Sequence, residues 1–419
     1  MSNTLAIVSL LFFAAAIALG YFRNLNMGLI GISFAMIFGV YICKIAAKTV
    51  VGYWPIDLCM TFMGMSFLFS IADKNGSLQV VADSMTKMLR GKVKLFPFFF
   101  FFLPVVLNFC GVSCPSTLAI VGPIFMSVAH ENKMEDLDVT ICAVAGSLAG
   151  AFSKVHPTGA VAYNLGLEAW TASGFPAETF NYGKVIFGLF AFFTVEFLLV
   201  YFIRGMFRYQ DCEVSQQRVT INGEQKTTMV VIAIALLAIL IFGTHTGLTA
   251  FLAGTFLLLL GIGKQKEAIA GISWNTVILV GGMTLLIKVV GTAGGISMIS
   301  DALSSIMTKN TAASLLNCVA ALMSCVSSAT GVVMPSLLPT IPDMLANISG
   351  VGFYPMFIGI VLGANVVTFS PLSTLGALML SVSEENKKGK LFTQQLIFAI
   401  LSTLFAALVL FLASGTGLI

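Results

Sequence analysis

The chain has 419 residues, of which 58% are hydrophobic and 10% charged, with a net charge of +4 and a mean hydropathy of +0.98. A soluble domain carries roughly 25% charged residues, so this chain lacks the polar surface that water requires. Its basic residues form short clusters without aromatic interleaving, which excludes a nucleic-acid binder. Lipid is the natural solvent, and spanning helices of ~20 apolar residues are expected from end to end.

The first apolar segment, 5–22, has no basic residue before it and no small-residue cleavage site, so it reads as a retained helix and not a signal peptide. Further helices are expected at 26–47 and 54–72. A polar arm follows at 73–94, then an apolar stretch at 95–129 that holds Pro104 and Gly111-Val112-Ser113-Cys114-Pro115-Ser116-Thr117. Helices four and five fall at 139–170 and 184–204, a polar linker at 205–228, and helices six to eight at 229–243, 248–262 and 274–291. A second arm, 292–310, precedes a second interrupted stretch, 312–346, and helices nine and ten cover 353–382 and 391–413. None of the eight cysteines forms a CxxC pair, so neither disulfides nor zinc is expected.

The two interrupted stretches do not fit as single spans. Thirty-five residues of straight helix would be about 52 Å long, against a hydrocarbon core of ~30 Å. Each holds Gly, Ser and Thr near its centre, so each is expected to fold back at a tip as a re-entrant hairpin. Non-helical backbone at membrane depth is tolerated only where protein or a water-filled cavity covers it, which places both tips at a site. Helices four and nine are expected to break as well, at Ser153-Lys154-Val155-His156-Pro157-Thr158-Gly159 and at Phe369-Ser370-Pro371-Leu372-Ser373-Thr374.

The halves match each other. Gly64-Met65-Ser66 aligns with Gly282-Met283-Thr284 at an offset of 218, and Phe152-Ser153 and Gly159-Ala160 align with Phe369-Ser370 and Gly376-Ala377 at 217. Paired interruptions at matching positions point to a transporter site between two repeats, 1–204 and 229–419, joined by a cytoplasmic linker at 205–228. With the base of the first hairpin inside, sixteen of the 22 Lys and Arg face the cytoplasm, and Lys44, Lys48, Lys184 and Lys309 face out. Lys154 and Lys288 remain at membrane depth. Five crossings separate the starts of helices three and eight, so the repeats are inverted and both termini lie outside. The expected fold is therefore an all-α polytopic membrane protein: ten transmembrane helices plus two re-entrant hairpins in an inverted repeat, in a bacterial inner membrane.

The run from Ser66 through the first hairpin, together with Phe152-Ser153-Lys154-Val155-His156-Pro157-Thr158, resembles the MatC-type malonate/dicarboxylate carriers of the ion transporter superfamily, relatives of the divalent anion/sodium symporters. The resemblance covers most of the chain and is strongest over 54–170. It implies a scaffold domain, a mobile transport domain and elevator-like movement. In the sodium symporters each hairpin tip carries a Ser-Asn-Thr motif that binds substrate carboxylates and helps form a sodium site. Pro115-Ser116-Thr117 and Ser328-Ala329-Thr330 stand at the matching positions without the Asn, which leaves the coupling ion open between sodium and protons.

A dianion at membrane depth needs donors and positive potential, which four half-helix N-termini would supply. Hydroxyls of Ser113, Ser116, Thr117, Thr158, Ser328, Thr330, Ser373 and Thr374 would complete the shell, with charge from Lys154 and His156. A Lys at a helix centre costs about 2.5–3.5 kcal/mol, so it normally faces a partner or a cavity. Sodium would take oxygen ligands, and Asn108, Ser153, Ser327 and Asn365 are the candidates. Lys288 reads as a snorkelling or scaffold residue, with Glu196 as a conceivable partner. The expected partners are a small dicarboxylate, malonate- or C4-type, a coupling cation and the bilayer, without a cofactor; a homodimer is open. A cation/proton antiporter would need paired acids at the breaks, where almost none stand. A channel and an intramembrane serine enzyme built on Ser113 are the remaining alternatives to a carrier.

Overall fold

Proline and glycine decide where the helices stop. The computed structural model describes residues 3–23, 25–80, 93–209, 221–325 and 327–416, and every regular element among them is helical. In chain order the longer ones are α1 (Asn3–Arg23), α2 (Met27–Ile42), α3 (Ile56–Lys74), α4 (Phe96–Phe109), α5 (Cys114–Glu131), α6 (Asp136–Gly150), α7 (Pro157–Ala172) and α8 (Tyr182–Ile203). The second half adds α9 (Gly223–Phe242), α10 (Thr246–Leu259), α11 (Trp274–Thr292), α12 (Gly295–Ser304), α13 (Ala312–Ser324), α14 (Phe353–Val366), α15 (Thr374–Ser381) and α16 (Glu385–Thr416). Between α13 and α14 the chain winds in short pieces, Ala329–Val333, Met334–Leu337, Leu338–Thr340 and Ile341–Asn347. Pro335, Pro339 and Pro342 each remove a backbone donor there, so no continuous α-helix forms.

Among the described residues six helices are long and apolar enough to cross a membrane by length and composition, against the ten crossings expected. α2 and α10 fall short of that length, and the helix expected over 139–170 is divided into α6 and α7. The linker expected at 205–228 ends early, because Asn222 and Gln225 form a capping box that starts α9 at Gly223. Helix ten likewise begins at Glu385 and not near 391. Residues 81–92 of the first arm and 210–220 of the linker, with Lys87, Arg90, Lys92 and Arg218, lie outside the described residues.

The helices gather into two bodies. In the first, α3 packs along α10 and α11 along α2, with α1 against α2 and α11. Both main crossings are backbone-to-backbone: a Cβ on Gly64 would run into the Gly247 carbonyl, and one on Gly282 into that of Gly28. Small residues allow such approach where lipid leaves no hydrophobic drive between helices. These two glycine crossings stand at equivalent places in the two halves. Gly64→Leu is expected to cost at least about 1–3 kcal/mol by overpacking, whereas Gly52→Ala, which faces open space, should be neutral in thermal denaturation.

The second body holds both interrupted stretches. α4 packs along α6 and α13 along α14, where Gly146 fits under the Phe101 carbonyl and Gly363 under that of Asn317. α8 and α16 cover this body from outside, α15 packs on α5, and α7 packs on Leu338–Thr340. Each half-helix that follows a break is thus held by the interrupted stretch of the other half. At one end of this body Asp138 is buried and paired with Arg204, and it accepts a hydrogen bond from Tyr209 Oη at 2.6 Å. Burial, and then the Asp138 carboxylate beside it, push the Tyr209 phenol above its ordinary range, so it remains a donor at neutral pH.

Candidate anion site at the helix breaks

The first interrupted stretch turns back at Cys110–Ser113. Gly111 has φ +104°, and the Val112 N–H reaches the Leu107 carbonyl at 3.1 Å while the Gly111 N–H reaches Asn108 at 2.9 Å. That is a Schellman ending, which needs a left-handed residue where Gly stands. Ser113 then caps α5: its Oγ accepts from the Ser116 N–H at 3.3 Å and lies 2.8 Å from Ser116 Oγ. The arms run antiparallel, with Phe100 on Phe125 at 4.5 Å between ring centroids. α4 has 14 residues, about 21 Å, too short to cross a ~30 Å core alone.

The second tip repeats the capping. Ser328 Oγ accepts from the Gly331 N–H at 3.1 Å and lies 3.4 Å from Thr330 Oγ1. α13, with 13 residues, is equally short.

Helices four and nine are unwound where the prolines stand. A residue before proline is driven extended, and His156 has ψ 143° before Pro157, as Ser370 has ψ 139° before Pro371. Beyond each break a glycine lets the new helix pass under the unwound chain: a Cβ on Gly159 would strike the Ser153 carbonyl, and one on Gly376 that of Ser370. These contacts give the Ser153/Ser370 and Gly159/Gly376 repeat its physical meaning. Ser373 stands at the start of α15, its Oγ donating to Thr368 at 2.6 Å, and Thr374 beside it is exposed.

The first tip lies against the first break. Ser153 Oγ donates to the Phe109 carbonyl at 2.7 Å, and His156 Nε2 lies 3.5 Å from Cys114 Sγ. His156 is 1% exposed, and its Nδ1 accepts from the Thr158 N–H at 3.1 Å. A ring accepting at Nδ1 carries its proton on Nε2 as neutral imidazole, so positive charge at the break rests on Lys154. Lys154 is exposed, its Nζ 4.0 Å from the Tyr163 ring centroid, and it joins no ion pair among the described residues.

The predicted residues thus divide by placement. Ser113, Ser116, Thr158, Ser328, Thr330 and Thr374 sit at the starts of four helical segments with accessible side chains. Thr117 is buried and donates to Asn108 Oδ1; Asn108 in turn donates to the Ser147 carbonyl at 2.9 Å, so its amide is fully engaged. Asn108→Ala would leave Thr117 and Ser147 groups unpaired, at a cost of about 1–3 kcal/mol readable by thermal denaturation. Ser327 Oγ donates to the Met323 carbonyl at 2.6 Å, and Asn365 donates to Val361 at 2.8 Å while its Oδ1 meets no donor among the described residues.

Residues 1–151 match the family model described as "Dicarboxylate carrier protein MatC N-terminus", and residues 236–418 match the model described as "Citrate transporter". The first part of the chain is thus similar to MatC-type dicarboxylate carriers and the second to citrate transporters. Among solved structures it is similar to the YdaH transporter of Alcanivorax borkumensis, with a TM-score of 0.60, 17% identity and 88% of each chain covered. At that identity the likeness shows the fold alone. No curated protein matches the chain. Its apolar helices and the two family matches indicate a multi-pass membrane transporter of the dicarboxylate/citrate type.

A cleft of about 420 Å³ opens between the two bodies, lined by residues of α3 and the Gly52–Pro55 segment before it, of α7 and α11, and by Pro335. It contains none of the residues singled out from sequence except Lys288. Lys288 pairs with Glu168 on α7, not with Glu196, whose carboxylate is buried against Ser402. Glu168 was invisible to sequence reasoning because its partner lies 120 residues away; its one signal was a lone acid near the end of an apolar helix.

Proposed function

We infer that this protein is a secondary active carrier of a small dicarboxylate, which it binds between the two hairpin tips and the two helix breaks. One observation carries the reading: four helical segments begin at these interruptions, and accessible Ser or Thr side chains stand at each start. Free N–H groups and the helix dipole favour anions at such ends. Lys154 adds one full positive charge, against the two negative charges of a dianion. Because the second family model is described as a citrate transporter, tricarboxylates belong in the same test.

In this reading the body of α1–α3 and α9–α11 is a fixed scaffold, and the hairpins with α6–α8 and α14–α16 move as an elevator. Ten crossings and two re-entrant hairpins form repeats 1–204 and 229–419, inverted about the linker at 205–228. Both termini face outside a bacterial inner membrane. Sodium is the preferred coupling ion, with the free Asn365 Oδ1 as its strongest ligand; Asn108, with its amide engaged, is the weakest. Proton coupling is the second form.

Reconstituted protein should take up malonate, succinate or citrate saturably, and an imposed inward sodium or proton gradient should drive accumulation. Saturable uptake that ignores both gradients would remove the coupling, and absence of saturable carboxylate uptake would remove the carrier reading itself. Purified protein should also gain thermal stability with the transported acid, by about 2.7 kcal/mol at a hundred times its Kd.

A further inference from the structure

Lys288–Glu168 is the one ion pair among the described residues that joins the two bodies. Lys288 stands on α11 and Glu168 on α7, both on the wall of the 420 Å³ cleft. Glu168 lies ten residues beyond Thr158, about 15 Å along α7 from the break. Val161 and Asn164 line the same cleft between them, so one face of α7 leads from the ion pair toward the proposed anion site. The other polar groups that α7 and α11 bring to the cleft are engaged locally: Asn164 donates to Ala160 at 3.0 Å and Thr284 to Val280 at 2.7 Å. The Asp57 carboxylate at the mouth is held by His245 at 2.7 Å. Lys288 is therefore the cleft's one cation, and its partner is a carboxylate, the same chemical group that the carrier is inferred to move.

We propose that Lys288 is an entry subsite for the substrate, at which an incoming carboxylate displaces Glu168. The inference rests on the carboxylate reading above and extends it to a second place on the path. Exchange of one carboxylate for another preserves the charge balance at a half-exposed amine, so it needs no new burial of charge. It also releases the sole charged tie between the two bodies among the described residues as substrate arrives, which couples loading to movement. Neither residue belongs to the break machinery.

A mechanical latch and a partner-exchange site make different predictions for the two ends of the pair. As a latch, Glu168→Gln and Lys288→Gln act alike, since each cuts the tie. As an exchange site they act in opposite directions. Glu168→Gln removes the competing carboxylate and should lower the half-saturating concentration of substrate about five-fold, the upper range for a half-exposed pair. Lys288→Gln should raise it by a similar factor, and Lys288→Arg should stay near wild type. The probe is whichever of malonate, succinate and citrate the wild-type protein takes up, assayed in proteoliposomes, with thermal denaturation confirming that each variant is folded. Opposite shifts support the subsite; shifts of the same sign, or none, overturn it. If wild-type protein takes up none of the three acids, the carboxylate reading falls first, and the subsite with it. If wild type is saturable and the variants do not diverge, only the subsite falls.

Discussion

Lys154→Met is expected to reduce carboxylate uptake by roughly 30-fold or more, the equivalent of about 2–5 kcal/mol for a charge that faces an opposite charge away from bulk water. The side chain stands in the unwound segment between α6 and α7, one residue past the Ser153 that is tied to the first hairpin. It has no carboxylate partner among the described residues, and its Nζ rests on the face of Tyr163. At the membrane depth proposed for this break, cation–π contact would offset only about 0.5–2 kcal/mol of the cost of holding an ammonium. Lys154→Arg would retain charge but not a compact point donor, so partial uptake is expected. Tyr163→Leu should leave substrate affinity largely intact and lower stability slightly. Uptake by Lys154→Met at wild-type rate would discard the residue as an anion ligand.

Arg204→Met is expected to cost about 3–5 kcal/mol of stability, because it leaves Asp138 buried and uncompensated at 2% exposure. Tyr209 alone would then hold the carboxylate, and its single hydrogen bond does not replace a guanidinium. The double variant Arg204→Met with Asp138→Asn removes both charges and should recover most of the loss, since replacing a buried pair as a whole is often near neutral. Chemical or thermal unfolding of the detergent-solubilised protein measures both. Equal stability of wild type and Arg204→Met would show that this pair does not hold the end of the second body.

The helix breaks were legible in the sequence because proline, glycine and a capping serine act locally. Ser113 with Pro115 starts a helix, Gly111 ends one, and Pro157 and Pro371 force the residue before them extended, whatever the rest of the chain does. The repeat was legible for the same reason: Gly159 and Gly376 are needed where an unwound carbonyl crosses a helix. What stayed hidden depends on distant partners. His156 reads as a ligand or a helix cap with equal ease until the Thr158 N–H and Cys114 are seen around it. Asn108 reads as a cation ligand until Thr117 and Ser147 consume its amide. Lys288 was matched with Glu196 because its actual partner, Glu168, is 120 residues away in sequence. The start of α9 was missed because its first turn is polar, and hydropathy does not register a capping box.

The central claim is that an anion with two carboxylates rests where the hairpin tips meet the broken helices. A density map of the protein loaded with the dicarboxylate that it transports tests this most directly. The account predicts density for the acid beside Ser113 and Ser116 on one side and Ser328 and Thr330 on the other, within reach of Lys154. Density for the acid elsewhere, with these hydroxyls facing lipid, would contradict it.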